Sequence, residues 1–173
     1  RPESVQERWV AARLALAALE PGDPVPRLCA LLTDLTLGEF RRRDVIRRLW
    51  ERRDARAIPF LARAIQRDPS GAVVNPAIEV LADFRHTAAV EGLIDGFAAD
   101  FTGKQDWKRA YTPEMFRDNI AESLSKLTGA QLPPDAQAWK TWWSEHRGEF
   151  TGEHGALPAP ADAEEAADAA AGP

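Results

Sequence analysis

The stretches VPRLCALL at residues 25–32 and IPFLARAI at residues 58–65 are one pattern written twice, 33 residues apart. They align Val25 with Ile58, Pro26 with Pro59, Leu28 with Leu61 and Leu32 with Ile65. AVEGLIDGF at residues 89–97 repeats the pattern 32 residues further on, setting Val90 against Ile58, Leu93 against Leu61 and Phe97 against Ile65. Each copy is followed by a second stretch with helical spacing: RRRDVIRRLWERR, then VVNPAIEVLADF, then PEMFRDNIAESLSKL. A two-helix unit of about 30 to 45 residues cannot bury its apolar face alone, so such units are stable when stacked.

The remaining segments fit an all-α body. Val5, Trp9, Val10, Ala12, Leu16 and Leu19 recur at threes and fours, with Ser4 placed to cap and Pro21-Gly22 to end a first helix. No stretch alternates apolar and polar residues over strand length. Gly129 is placed to stop a helix after Leu127-Thr128, and Asp135 to cap a last one that carries Trp139, Trp142 and Trp143 on one face. Asn75-Pro76 is read within the first turn of its helix, where proline is tolerated. The organisation expected is a helical repeat domain over residues 1–150 and an acidic, Ala/Pro-rich tail over residues 151–173, disordered on composition.

The Val/Ile-Pro-x-Leu openings and the paired helices over residues 23–129 resemble the bacterial HEAT-repeat family, in its HEAT-like form related to phycobilisome lyases. The resemblance implies a right-handed α-α superhelix, a solenoid of about three helix pairs with an N-terminal helix and a Trp-rich capping helix. It implies a non-enzymatic scaffold for protein–protein interaction, an accessory subunit of a larger assembly. It also brings two other activities into view, a bilin-lyase-like chaperone or lyase subunit and a DNA-binding protein of the alkylpurine glycosylase type. The chain departs from the pattern in its third unit, where FTGKQDWKRAYTP separates the two helices.

Charge and composition narrow these readings. The 22 basic and 27 acidic side chains give a net charge of -5, and residues 151–173 hold five acids and no Lys or Arg, so the body is neutral. A neutral body disfavours nucleic acid, because phosphate binding rests on a clear positive excess. Cys29 is the single cysteine, so no internal disulfide forms, and its apolar helix makes it an inert core residue. No apolar run of membrane-spanning length occurs. The chain begins at Arg1, and it resembles exported bacterial proteins that end a helical segment in L-T-G and follow it with W-x-x-W-W; together these favour an extracytoplasmic (periplasmic) location over a cytoplasmic one.

No catalytic constellation is visible: His86, His146 and His154 lack metal-ligand spacing, and no glycine-rich phosphate loop or nucleophile elbow is present. No cofactor is expected. The chemistry concentrates instead in RRRDVIRRLWERRDAR, residues 41–56, which holds eight arginines. Read as a helix, it has an apolar stripe of Val45, Ile46, Leu49 and Trp50, with Arg41, Arg43, Arg47, Arg48 and Arg52 over the rest. In HEAT-like solenoids the second helix of each pair lines the concave face, so the resemblance turns these arginines into a groove. Arginine binds carboxylate bidentately, which makes Arg41, Arg47, Arg48 and Arg52 candidates for docking an acidic or mixed protein surface. Trp107, Lys108, Arg109 and Tyr111, in the insert of the third unit, join them as aromatic and cationic contact residues. Reversing Arg48 and Arg52 is expected to leave stability nearly unchanged, since neither lies on the apolar stripe.

Overall fold

The computed structural model describes residues 22–104 and 111–154. Those residues form an all-α structure of seven α-helices and two short 3-10 turns, with no strand among them. The N-terminal helix expected around Trp9 lies outside the described residues, as do Trp107, Lys108, Arg109 and the tail beyond His154.

Local chemistry sets each boundary. Helix α1 (Val25–Thr33) and helix α3 (Ile58–Arg67) both carry proline in their first turn, where a missing N–H costs nothing. Helix α2 (Glu39–Arg52) ends at Arg53 in the left-handed conformation. Helix α4 (Gly71–Leu81) starts where Ser70 Oγ accepts from the Ala72 N–H, and α5 (Thr87–Gly96) where the His86 ring Nδ1 accepts from the Ala88 N–H. Helix α6 (Pro113–Thr128) is capped by Thr112 and stopped by Gly129 at a φ of 81°, a conformation that favours glycine. Helix α7 (Ala136–His146) is capped by Asp135, whose Oδ1 accepts from the Ala138 N–H at 2.7 Å.

One of these boundaries corrects the sequence reading. Helix α4 begins early, on the Ser70 cap, so Pro76 is not in its first turn but is its sixth residue. The proline leaves the Ala72 carbonyl without its i+4 donor. Helix α5 starts three residues before Val90, so the third repeat has a longer lead than the first two, which begin at Val25 and Ile58.

The helices pack in a regular order. Successive pairs α1–α2, α3–α4 and α5–α6 are in contact; the first helices touch in the order α1, α3, α5 and the second helices in the order α2, α4, α6. The aligned repeat positions are the core of this arrangement. Val25, Ile58 and Val90 are buried, as are Leu28, Leu61 and Leu93, and Leu32, Ile65 and Phe97. Fully burying a side chain of this kind contributes ~1.5 to 3 kcal/mol by transfer from water. At Gly92 an added Cβ would lie 2.9 Å from the Ala62 Cβ, so the bare backbone of α5 sets its close approach to α3.

The third unit's extra segment is drawn inward where it is described. Phe101 is buried and stacks on Phe116 at 4.8 Å, and half-buried Tyr111 stacks on the same ring at 4.9 Å. At the other end α7 packs on α5, where Trp143 Nε1 donates to Glu91 Oε1 at 3.4 Å; Trp139 and Trp143 are buried, while Trp142 is half-buried and stacks on His146 at 4.5 Å. Residues just past 150 continue the packed body: Glu153 donates its N–H to Arg85 O at 2.6 Å and accepts from the Thr87 N–H at 2.9 Å. Cys29 is buried, and burial, with a smaller contribution from the Asp54 charge, pushes its thiol up to about 12.

Candidate interaction surface

The arginines of α2 divide by their phase on the helix. Arg42 precedes Val45, Ile46 and Leu49 by three, four and seven residues, so it falls on the buried stripe. It is only 4% exposed, and its guanidinium makes two hydrogen bonds to Asp68, Nε to Oδ2 at 2.7 Å and NH2 to Oδ1 at 2.9 Å. Its third arm donates to the Leu37 carbonyl. Asp68 is 2% exposed; Oδ1 also accepts from the Ser70 N–H at 2.8 Å, and its carbonyl accepts from the buried Lys104 ammonium. Burial pushes Lys104 below the usual lysine range, against the opposing pull of Asp68 and Asp100. Asp68 thus joins the first helix pair and the second through its carboxylate, and the segment leading to α6 through its backbone carbonyl.

The other arginines face outward to different extents. Arg43, Arg47 and Arg52 are exposed, and Arg41 and Arg48 are half-buried. Arg47 pairs with Glu51 at 3.1 Å and Asp44 at 4.0 Å along its own helix. Such exposed pairs contribute only ~0.3 to 0.5 kcal/mol each. The Nε of Arg48 is shielded from solvent and has no hydrogen-bond partner among the described residues. From Arg41 to Arg52, five arginines besides Arg42 meet two carboxylates, Asp44 and Glu51. The surface is therefore strongly cationic while the body as a whole is neutral.

At the far end of α2 the charge is tied down. Trp50 Nε1 donates to Asp83 Oδ2 at 2.6 Å, Lys126 Nζ to Asp83 Oδ1 at 2.6 Å, and Arg53 lies 3.6 Å from the same carboxylate. Burial raises the Asp83 pKa, but the Lys126 and Trp50 hydrogen bonds and the charges of Lys126 and Arg53 outweigh it and hold the carboxyl below its usual range. Beside it, Arg53, Asp83, Arg85, His86 and Glu153 line a pocket of about 370 Å³ in which opposite charges balance.

Of the candidates read from the sequence, Trp107, Lys108 and Arg109 lie outside the described residues. Arg41, Arg47, Arg48 and Arg52 share α2, whereas Tyr111 is committed to the Phe116 stack at the head of α6. Among the described residues no group of three or more His, Cys, Asp or Glu could hold a metal ion, and no helix is long and apolar enough to cross a membrane.

No family model, curated protein or solved structure matches the chain. What the surface can do is therefore read from its geometry.

Sequence reasoning missed the two outward-facing apolar side chains at the head of α2. Leu35 is 58% exposed and Phe40 51%. A signal for Phe40 was present: it lies nine residues before Leu49, half a turn away from the buried stripe at ~100° per residue.

Proposed function

We propose that this chain is a non-enzymatic protein–protein interaction scaffold of the HEAT-like type, an accessory subunit that docks an acidic segment of a partner protein on the outer face of α2. The observation that carries this reading is the arginine excess of α2, six arginines against Glu39, Asp44 and Glu51, with Arg43, Arg47 and Arg52 exposed. The order of helix contacts supports the solenoid part of the reading, because each first helix touches the next first helix and each second helix the next second helix. Arginine suits this role through its planar, bidentate fork and weak hydration. Nucleic acid is the less favoured partner on charge, since the body carries no net positive excess.

The test uses the exposed pair. Arg43→Glu with Arg47→Glu reverses two charges without touching the buried stripe, so the variant should fold as wild type does. Partner capture followed by mass spectrometry should find the principal wild-type partner at least tenfold depleted from the variant. Equal capture would remove the α2 face from the reading, and tight, salt-sensitive binding of wild type to duplex DNA would replace a protein partner with nucleic acid.

A further inference from the structure

We infer that residues 150–154 form a displaceable strap, and that the backbone edge they cover, the Arg85 carbonyl and the Thr87 N–H, is a docking site for an extended partner segment of the pattern Phe-x-Gly. The site lies at the turn between α4 and α5 and draws on none of the arginines of α2.

The segment seated there defines what the site takes. Glu153 pairs alongside His86 in parallel register, with its N–H on the Arg85 carbonyl and its carbonyl on the Thr87 N–H. Pairing of this kind uses main-chain groups alone, so it serves any extended chain, and the side-chain positions supply selectivity. Two positions do so here. At Gly152 an added Cβ would overlap the Arg85 carbonyl oxygen, which belongs to the backbone and cannot swing away, so glycine is required. Two residues earlier, half-buried Phe150 meets Trp143 edge to face at 5.6 Å. Between them the Thr151 hydroxyl accepts from the Arg85 guanidinium at 3.0 Å.

The hold on this segment is light. Thr151, Glu153 and His154 are exposed, and so is Arg85. A segment with few buried contacts and exposed hydrogen bonds sits at the low end of local stability. Two pockets of about 370 Å³ flank it, one lined by His86 and Glu153, the other by Trp142 and Phe150, and Arg85 and Thr151 belong to both. They leave room beside the edge for the flanking residues of a longer chain. Such residues matter, because a tethered strap competes at high effective concentration and the partner must bring further contacts to displace it.

A chemical-shift titration of the full chain with the peptide Glu-Phe-Thr-Gly-Glu-His, read at the Thr87 amide, tests the site. Gly152→Val blocks the chain's own pairing, so this variant should bind the peptide at least tenfold more tightly than wild type does. The same peptide with Val in place of Gly should bind neither protein. Equal affinity of wild type and variant, no binding by the variant, or equal binding of the two peptides overturns the site. Hydrogen exchange of wild type gives a test that needs no variant to fold. The Thr87 amide, whose acceptor is Glu153, should exchange at least tenfold faster than the Leu93 amide of the same helix, at a rate insensitive to low urea. Exchange of Thr87 in step with Leu93 would mean that the strap leaves only when the fold does, and overturns the inference. Sedimentation of wild type as a dimer that Gly152→Val converts to monomer would seat a second copy's strap on the edge, and overturns the partner segment as its occupant.

Discussion

Arg42 on α2 and Asp68 at the end of α3 form a bidentate ion pair, 2.7 and 2.9 Å, with both residues almost completely out of water. It is the only arginine of its run that turns inward far enough to be buried. Removing one partner from such a pair costs far more than the pair itself contributes, because the other charge is left buried and alone. Arg42→Met should therefore destabilise the protein by ~3 to 5 kcal/mol in urea unfolding. Adding Asp68→Asn removes the stranded charge while keeping an oxygen for the Ser70 N–H, so the double variant should be more stable than Arg42→Met alone. A double variant no better than the single one would mean that the charge of Asp68 is not what Arg42 neutralises.

Truncation at an aligned repeat position tests the core. Leu61 is fully buried at the position shared with Leu28 and Leu93. Leu61→Ala should cost ~2 to 5 kcal/mol, the range for removing a buried leucine's side chain. A loss below ~1 kcal/mol would mean that Leu61 is not a structural equivalent of its repeat partners.

Much of this architecture was legible before any coordinates, for physical reasons that vary by element. Leu28, Leu61 and Leu93 were legible as core because each falls on the apolar stripe of its own helix, and all three are buried. Helix caps such as Asp135 and Gly129 were legible because their chemistry is local. The early start of α4 was hidden, since Pro76 suggested a boundary that the Ser70 cap overrides. The inward turn of Arg42 was hidden for a different reason. Its phase put it on the apolar stripe, but its partner lies 26 residues away, beyond the reach of any local pattern. The surface was read least well, because Tyr111 looks the same in sequence whether it stacks on Phe116 or faces solvent.

Acid should unfold the protein partly through Asp83. Its carboxyl is held below the usual range, so the folded state prefers it ionised. The stability it contributes is fully present above its unfolded pKa of ~3.9 and is lost as pH falls through the lower, folded value. Asp83→Ala should cost ~1.5 to 3 kcal/mol at neutral pH, the range for a hydrogen bond to a charged group. The gap between wild type and variant should then narrow below about pH 4. A gap that stays constant from pH 7 to pH 2.5 in urea melts would mean that Asp83 contributes by packing and not by charge.

The arginines of α2 should separate into two classes when each is reversed to glutamate. Arg43 and Arg47 stand in solvent, and Arg47 gives up only i,i+3 and i,i+4 pairs with Asp44 and Glu51. Surface changes of this kind usually stay within ~0.5 kcal/mol, so Arg43→Glu and Arg47→Glu should melt close to wild type. Arg48 differs, although its place off the apolar stripe suggests the same outcome. It is half-buried with Nε already out of water, and Asp44, Glu51 and Arg52 are its neighbours at four, three and four residues along α2. A glutamate there would bring a carboxylate into a partly dry position and next to two others on the helix. Arg48→Glu should therefore cost ~1 to 3 kcal/mol, the penalty for a polar group left unsatisfied. Thermal melts of the three single variants decide the matter. If Arg48→Glu melts with the other two, the shielding of Nε has no energetic weight, and Arg48 returns to the solvent face as one more docking arginine.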